Sequence, residues 1–339
     1  MQETVSFPSG DVHFYSGPVQ IAAIYSGRDV ILLTDEHVAA ALPHLFEGRK
    51  TIIIPAGEQH KHLQTIEYIC KQLLELEATR ASVLIGVGGG VVTDIAGFVA
   101  ATYMRGIAFG FAPTSVLAMV DAAIGGKNGV NIGLHKNITG TIVQPDSISL
   151  DVSLLSTLPA TEWSNGFAEV IKYACLFDKP LFDELGKHDI TYYRNNTTAM
   201  QQIIETCVGW KNKIVIADEH EKAERKLLNF GHTAAHAIEN LYDLPHGQAV
   251  AIGMMVAMQL SEEVLGMDHS HTEALRSILQ QYDLPVAYDI DVPRAMEILK
   301  MDKKRASGNI DYILLHDIGH AVIQPLPFTT IENALHQCG

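Results

Sequence analysis

The sequence predicts an α/β protein in which a mainly parallel sheet domain is followed by an all-helical domain. Short β-branched runs alternate with helical patterns in the first half, whereas long helical patterns with few strand signals fill the second half. At 339 residues the chain exceeds the usual size of one core. We therefore expect two domains, residues 1–158 and residues 159–339.

The predicted strands of the first half are apolar without alternation, which indicates burial on both faces of a parallel sheet. They cover residues 30–33, 51–54, 83–87 and 108–111. In the second half the predicted helices include residues 162–173, 198–217 and 247–264, and only residues 311–315 and 320–323 are predicted to be extended.

Composition excludes several classes of protein. A net charge of -15 disfavours nucleic acid as a partner, because phosphate backbones are bound by clustered Lys and Arg. No apolar run is long enough to span a membrane, and the N-terminus lacks the features of a secretory signal. The four cysteines are scattered without paired spacing, which favours reduced thiols and a cytoplasmic location.

A glycine-rich turn, residues 86–90, follows a predicted strand and precedes a helix with Val92, Ile95, Ala96 and Val99 on one face. Glycines let backbone amides approach a phosphate, and the helix N-terminus adds partial positive charge. The common dinucleotide fingerprint has glycine where this chain has Val91, so a simple tight turn is the alternative. Three consecutive glycines favour a bound dinucleotide.

Four side chains are candidate metal ligands. His232 and His236 are four residues apart and share a face if the segment is helical. His246 precedes an apolar helix, and Glu169 could add a carboxylate from another helix. Catalytic zinc needs three nitrogen or oxygen ligands and an open position. Spacing does not select three of these four.

Several cations could bind an anionic substrate, although a solvated face is the usual explanation for an isolated lysine. Flanking glycines at residues 125–129 suggest that Lys127 and the backbone converge on an anion. Lys172 follows Glu169 by three residues, so both can face one cleft. The cationic candidates are Arg105, Lys127, Lys136, Lys172, Lys211, Arg225, Lys303 and Lys304.

Several long motifs, in order along the chain, resemble those of the 3-dehydroquinate synthases, a family of the sugar-phosphate cyclase superfamily. The resemblance covers nearly the whole chain. The motifs lie at residues 57–61, 88–94 with 97–98, 105–106, 113–115, 121 with 125–127, 136–137, 168–172, 228–233 and 302–304.

The resemblance implies a Rossmann-like domain that binds NAD, a helical domain that carries zinc, with cobalt as the alternative metal, and a homodimer. It implies Glu169, His232 and His246 as metal ligands, and His236 as a residue that contacts the substrate. The residues implied for NAD are Asp35, Glu58, Lys61, Gly89, Gly90, Val91, Asp94, Thr114, Ser115, Lys136 and Thr157.

The implied reaction converts 3-deoxy-D-arabino-heptulosonate 7-phosphate to 3-dehydroquinate and phosphate. NAD would oxidise a ring hydroxyl, phosphate would leave, the hydride would return, and ring opening and an aldol step would follow. The implied catalytic residues are Asp121, Lys172, Lys211, Arg225, Asn229 and His236. The implied substrate contacts are Arg105, which would reach the neighbouring subunit's site, Lys127, Lys136, Asn137, Lys303 and Lys304.

Two other enzyme classes share these general features. A cyclase of the 2-epi-5-epi-valiolone or 2-deoxy-scyllo-inosose type would use a sugar phosphate without a carboxylate. A metal-dependent alcohol dehydrogenase related to glycerol dehydrogenase would release NADH. Arg225, Asn229 and His236 together favour a carboxylated substrate, and Lys127 with residues 136–137 favours a phosphorylated one.

Overall fold

The computed structural model describes residues 2–18, 21–133, 135–302 and 309–337. The chain forms two compact units. The first unit contains Met1–Glu162 and Met200–His220, and the second contains Trp163–Ala199 and Glu221–Gly339. The predicted domains, residues 1–158 and 159–339, stay a prediction, and compactness groups one stretch from the second half with the first unit.

The first unit is built on a seven-stranded sheet in the order β1-β2-β9-β6-β5-β3-β4. The pair β1 and β2 is antiparallel, and every other pairing in this sheet is parallel. Its strands are β1 (Gln2–Phe7), β2 (Gly10–Ser16), β3 (Val30–Asp35), β4 (Thr51–Ile54), β5 (Val83–Gly88), β6 (Ala108–Pro113) and β9 (Ser147–Leu150), while β7 (Lys127–Ile132) and β8 (His135–Ile142) form a separate hairpin.

The central strands are apolar because both of their faces are covered. Leu32, Val83 and Ile85 are at most 2% exposed and share one core cluster. The four predicted strands are β3 to β6, and the mainly parallel sheet is confirmed. The β7–β8 hairpin was not predicted, because β8 is mostly exposed and has no apolar run to mark it.

Strand order places a switch point inside this sheet. Strand β4 pairs with one side of β3, and β5 pairs with the other. Ligands of open α/β sheets bind beyond the carboxyl ends of the strands at such a point. The helices of the first half are α1 (Ile21–Ile24), α2 (Glu36–Ala41), α3 (Leu63–Glu75) and α4 (Gly90–Thr102).

Within the described residues of the second half, the regular elements are helices apart from one antiparallel hairpin near the end, as predicted. Helix α10 is apolar around its circumference and packs against α9, α11, α13 and β10, which explains its burial. The elements are α5 (Ala160–Phe177), α6 (Lys179–Leu185), α7 (Ile190–Asn195), α8 (Thr197–Ala217), α9 (His232–Leu241), α10 (His246–Leu265), α11 (His269–Gln281), α12 (Val292–Asp302), β10 (Asn309–Asp317), β11 (His320–Pro327) and α13 (Phe328–Gln337).

No helix within the described ranges combines the length and apolarity needed to cross a bilayer.

Candidate active site

The glycine-rich turn joins β5 to α4. Strand β5 ends at Gly88, Gly89 caps the helix, and α4 begins at Gly90. A Cβ atom added at Gly89 would make only an ordinary contact, 3.5 Å from the Ser115 hydroxyl oxygen, so packing within the chain does not account for glycine at this position. Backbone N–H groups at the start of a helix attract anions. The turn therefore has the properties of a phosphate-binding loop.

Other candidate nucleotide-binding residues lie at the same edge of the sheet. Asp35 is the last residue of β3, and its carboxylate accepts a hydrogen bond from Val38 N at 2.9 Å, which caps α2. Thr114 follows β6, and its N–H donates to Gly88 O at 2.9 Å. Because these strands are parallel neighbours, their carboxyl ends bring the candidates to one edge.

Lys61 links three predicted site residues. Its side chain is 5% exposed, and its ammonium donates to Asp94 Oδ2 at 2.5 Å and to Asn137 Oδ1 at 2.6 Å. Burial raises the pKa of Asp94, and Lys61 opposes that rise by stabilising the carboxylate. The contact holds α4, just beyond the glycine turn, to β8. Glu58 makes a similar link, because its carboxylate accepts from Asn131 on β7 at 2.8 Å.

Asp121 and Lys211 form a second buried pair in the first unit. Lys211 Nζ donates to the Asp121 carboxylate at 2.6 Å and to its backbone carbonyl at 2.5 Å. Asp121 lies in a single turn of π-helix, Ala118–Ala122, a rare conformation that is frequent at functional sites. The Lys211 side chain is 7% exposed and the Asp121 side chain is 22% exposed, so this ion pair is partly shielded from bulk water.

The remaining candidates of the first unit are more exposed or peripheral. Arg105 is exposed and has a positive φ of 67°, a strained backbone for a residue with a side chain. Lys127 and Lys136 are exposed on the β7–β8 hairpin. Val91 is the second residue of α4, and Thr157 ends a 3-10 helix, Val152–Thr157.

Three candidate metal ligands meet in the second unit. One ligand atom from each of Glu169, His232 and His246 lies within 4.8 Å of the other two. Glu169 Oε1 is 3.4 Å from His232 Nε2 and 3.0 Å from His246 Nε2. His236 is exposed on the same helix as His232 and is outside this group. One carboxylate and two imidazoles are a donor set that suits catalytic zinc.

Close packing of helix ends delivers these ligands. His232 is the first residue of α9, and Gly231 before it has a φ of 77°, which favours glycine. His246 is the first residue of α10, and the next N–H, from Gly247, donates to the side chain of Asn165 on α5. A Cβ atom at Gly247 would lie 2.3 Å from Asn165 O, so only glycine allows α10 to begin this close to α5.

Charge at this cluster is concentrated on a buried carboxylate. Glu169 is fully buried, and the Lys172 ammonium contacts its Oε2 atom. Burial alone would raise the pKa of Glu169, but Lys172 and the two histidines hold it well below its usual range. Burial lowers the pKa of His246, yet hydrogen bonds to Glu169 and Glu239 outweigh it and raise that pKa to about 10.

Arg225 and Asn229 lie on a 3-10 helix, Glu224–Asn229, that precedes α9. Arg225 is 2% exposed, and Asn229 Nδ2 donates to Glu221 Oε1 at 3.0 Å. Glu221 has a positive φ of 55° and was not among the predicted site residues. Its strained backbone and its bond to Asn229 are structural signals that the sequence does not carry. Lys303 and Lys304 lie outside the described residues.

Two family models match consecutive parts of the chain. The model for the N-terminal part of 3-dehydroquinate synthase matches residues 51–165, and the model for its C-terminal part matches residues 166–305. Together they include both the glycine-rich turn and the Glu169, His232 and His246 cluster.

Curated relatives agree with these matches. A 3-dehydroquinate synthase of Dichelobacter nodosus is 41% identical over 87% of this chain and 83% of its own. One from Thermococcus kodakarensis is 43% identical over 84% of this chain and 80% of its own. Among solved structures, 2-epi-5-epi-valiolone synthase from Streptomyces hygroscopicus with bound NAD+ and Zn2+ has a TM-score of 0.88 at 26% identity, covering 99% of this chain and 97% of that one.

Proposed function

Because the chain belongs to the 3-dehydroquinate synthase family, we propose that it converts 3-deoxy-D-arabino-heptulosonate 7-phosphate to 3-dehydroquinate and phosphate. The observation that carries this proposal is the unbroken family match from residue 51 to residue 305. The reaction belongs to the shikimate pathway, which leads to chorismate and the aromatic amino acids. The ligand cluster and the nucleotide-binding edge supply sites suited to the cofactors that such a reaction needs.

We assign the metal to Glu169, His232 and His246. Their donor atoms and mutual distances fit zinc, and cobalt prefers the same kinds of ligand. Zinc bound there would lower the pKa of a coordinated substrate hydroxyl and stabilise alkoxide and enolate charge. Lys172 keeps Glu169 ionised, so the carboxylate is ready to coordinate a cation.

We assign NAD to the carboxyl edge of the seven-stranded sheet. The open backbone at Gly89 and Gly90 and the start of α4 suit a pyrophosphate. NAD held there would accept a hydride and return it within one turnover, so it would not be consumed. The proposed binding residues are Asp35, Glu58, Lys61, Gly89, Gly90, Val91, Asp94, Thr114, Ser115, Lys136 and Thr157.

The two anionic ends of the substrate need different partners. We assign the carboxylate to Arg225 and Asn229, because a planar guanidinium can make two parallel hydrogen bonds to it. Burial of Arg225 removes competing water and strengthens such a contact. We assign the phosphate to Arg105, Lys127, Asn137 and His236. Lys303 and Lys304 remain candidates for a further substrate contact.

Two ion pairs with low exposure, Asp121 with Lys211 and Glu169 with Lys172, are suited to proton transfer. In the first unit Lys211 neutralises Asp121 at 2.6 Å, so a proton can pass between these groups and a substrate hydroxyl. In the second unit Lys172 stands beside Glu169 in the same way. We propose that Asp121, Lys172 and Lys211 orient and deprotonate substrate groups.

We further propose that the protein is a homodimer located in the cytoplasm. We propose that its ligand is a small sugar phosphate and that it does not bind nucleic acid. The three described cysteines, Cys70, Cys175 and Cys207, are free thiols, which suits a reducing compartment. The net charge of -15 opposes binding to phosphate backbones. The strained, exposed Arg105 suits a residue that acts in the neighbouring subunit's site, as in the family.

Substrate choice tests this function. Purified protein with NAD and zinc is incubated with the heptulosonate phosphate, with sedoheptulose 7-phosphate and with glucose 6-phosphate, and released phosphate and NADH absorbance are recorded. We expect phosphate only from the carboxylated sugar, with no accumulation of NADH. Release from either uncarboxylated sugar would instead identify another cyclase, and steady NADH production would identify an alcohol dehydrogenase.

Variant Arg225→Lys sharpens that test. We expect the Michaelis constant for the heptulosonate phosphate to rise by about tenfold to a hundredfold, because an ammonium cannot reproduce two parallel bonds to the carboxylate. An equal rise in the inhibition constant of a competitive analogue that lacks the carboxylate would contradict the assignment of Arg225.

A further inference from the structure

A carboxylate outside the ligand group contacts one of the proposed ligands. Glu239 Oε1 lies 2.8 Å from His246 Nδ1, on the opposite edge of the ring from the Nε2 atom that faces Glu169. The Glu239 side chain is only 3% exposed, and the His246 side chain is 33% exposed. The contact therefore holds the more exposed of the two proposed histidine ligands from its far side.

The other histidine is held in an equivalent way. His232 Nδ1 lies 3.1 Å from the backbone carbonyl oxygen of Phe230, while its Nε2 atom faces Glu169. When Nδ1 of a neutral imidazole donates its hydrogen, Nε2 carries the free lone pair. Both rings therefore direct Nε2 toward the cluster. The ring of His232 is held by a backbone carbonyl, and the ring of His246 is held by the carboxylate of Glu239.

Helical periodicity explains why Glu239 can do this. Glu239 follows His232 by seven residues on α9, which is close to two full turns and returns the side chain to the same face. One helix therefore supplies a ligand at its first residue and the acceptor for a second ligand two turns later. The α10 N-terminus, which carries His246, packs against both α9 and α5.

We infer that Glu239 is a positioning residue, which accepts the Nδ1 hydrogen of His246 and so keeps its Nε2 lone pair aimed at the metal. This inference rests on the metal site of the proposed function. Partners of this kind typically change metal affinity by about tenfold to a hundredfold. Glu239 itself touches neither substrate nor metal in this scheme.

The test measures zinc affinity on the full chain, stripped with chelator and titrated with zinc against a chromophoric chelator. Variants Glu239→Ala and Glu239→Gln are compared with wild type and with His246→Ala. Variant Glu262→Ala is the matched control, because Glu262 accepts from His269 Nδ1 at 3.1 Å in the same unit but away from the cluster. Cobalt absorption spectra of each variant report ligand geometry directly.

We expect Glu239→Ala to weaken zinc binding by about tenfold to a hundredfold and to change the cobalt spectrum. Glu239→Gln keeps an oxygen acceptor, so we expect it to recover most of the affinity, and Glu262→Ala should leave both readouts unchanged. If the alanine variant does not fold by circular dichroism, the glutamine variant decides, with a loss of about threefold or more expected from the missing charge.

Zinc affinity within twofold of wild type in the folded Glu239 variants, with an unchanged cobalt spectrum, overturns the inference and leaves the metal site intact. Wild-type protein that binds no zinc overturns the metal site of the proposed function as well. The two failures are therefore distinct.

Discussion

The glycine-rich turn of the first unit and the ligand cluster of the second unit are built in opposite ways. The turn is one continuous stretch in which backbone amides and missing side chains make the site. The cluster gathers three side chains from α5, α9 and α10, and its properties come from charge and burial. The turn should therefore be sensitive to an added side chain, and the cluster should be sensitive to the loss of a donor atom or of a charge.

The largest expected effect removes a ligand from the cluster. Variant His232→Ala leaves two donors, so we expect loss of bound zinc and a fall in turnover of about a thousandfold or more. Elemental analysis measures the bound zinc, and phosphate release measures the turnover. Variant His236→Ala changes the neighbouring exposed histidine on the same helix and should keep full zinc. Full zinc in a His232→Ala, His246→Ala double variant would contradict the assignment.

A smaller effect is expected at the buried ion pair behind the turn. Variant Asp94→Ala leaves the Lys61 ammonium, which is 5% exposed, without its carboxylate. We expect a loss of about 3 kcal/mol in the free energy of unfolding, measured by urea denaturation. The exposed pair Lys179 and Asp183 is the control, and Asp183→Ala should cost less than about 1 kcal/mol. Equal losses would show that burial does not distinguish these pairs.

The smallest expected effect comes from one methyl group on the turn. Gly89 has an ordinary φ of -75°, and its added Cβ would make only normal contacts, so Gly89→Ala should fold. We expect the NAD dissociation constant to rise by about tenfold, because the methyl group occupies the path of the phosphate, as calorimetry would measure.

Gly209→Ala on α8 is the matched control for that methyl group. No atom lies within 4 Å of the Cβ position at Gly209, so NAD binding should not change there. Unchanged NAD affinity in Gly89→Ala would place the cofactor elsewhere.

The same contrast explains what could be predicted from the sequence. Strands β3, β5 and β6 are short apolar runs that are buried on both faces, and the glycine turn follows β5 directly. Strand β4 is also an apolar run, but it lies at the edge of the sheet and exposes Ile53. Features that depend on adjacent residues in this way can be predicted from the sequence. The hairpin of β7 and β8 was missed because β8 is mostly exposed and neither strand is an unbroken apolar run, although Asn128, Gly129 and Val130 of β7 are buried.

The cluster needed information that no local pattern holds. Spacing left His236 equal to His232 and His246, and the choice depended on resemblance to a family. In the structure His232 and His246 lie beside Glu169, whereas His236 lies outside this group. Gly231 lets the start of α9 pack closely against α10, and Gly247 lets the start of α10 pack closely against α5. Glu239 was not identified from the sequence because its contact with His246 exists only in the folded chain, and the same holds for the contact between Glu221 and Asn229.

The most direct test of the central claim, that this chain is a metal-dependent cyclase, is phosphate release from 3-deoxy-D-arabino-heptulosonate 7-phosphate before chelation, after chelation and after zinc is returned. We predict rapid release, near-complete loss with chelator, and recovery with zinc, all without net formation of NADH. Phosphate release that continues unchanged in chelated, metal-free protein would contradict the claim.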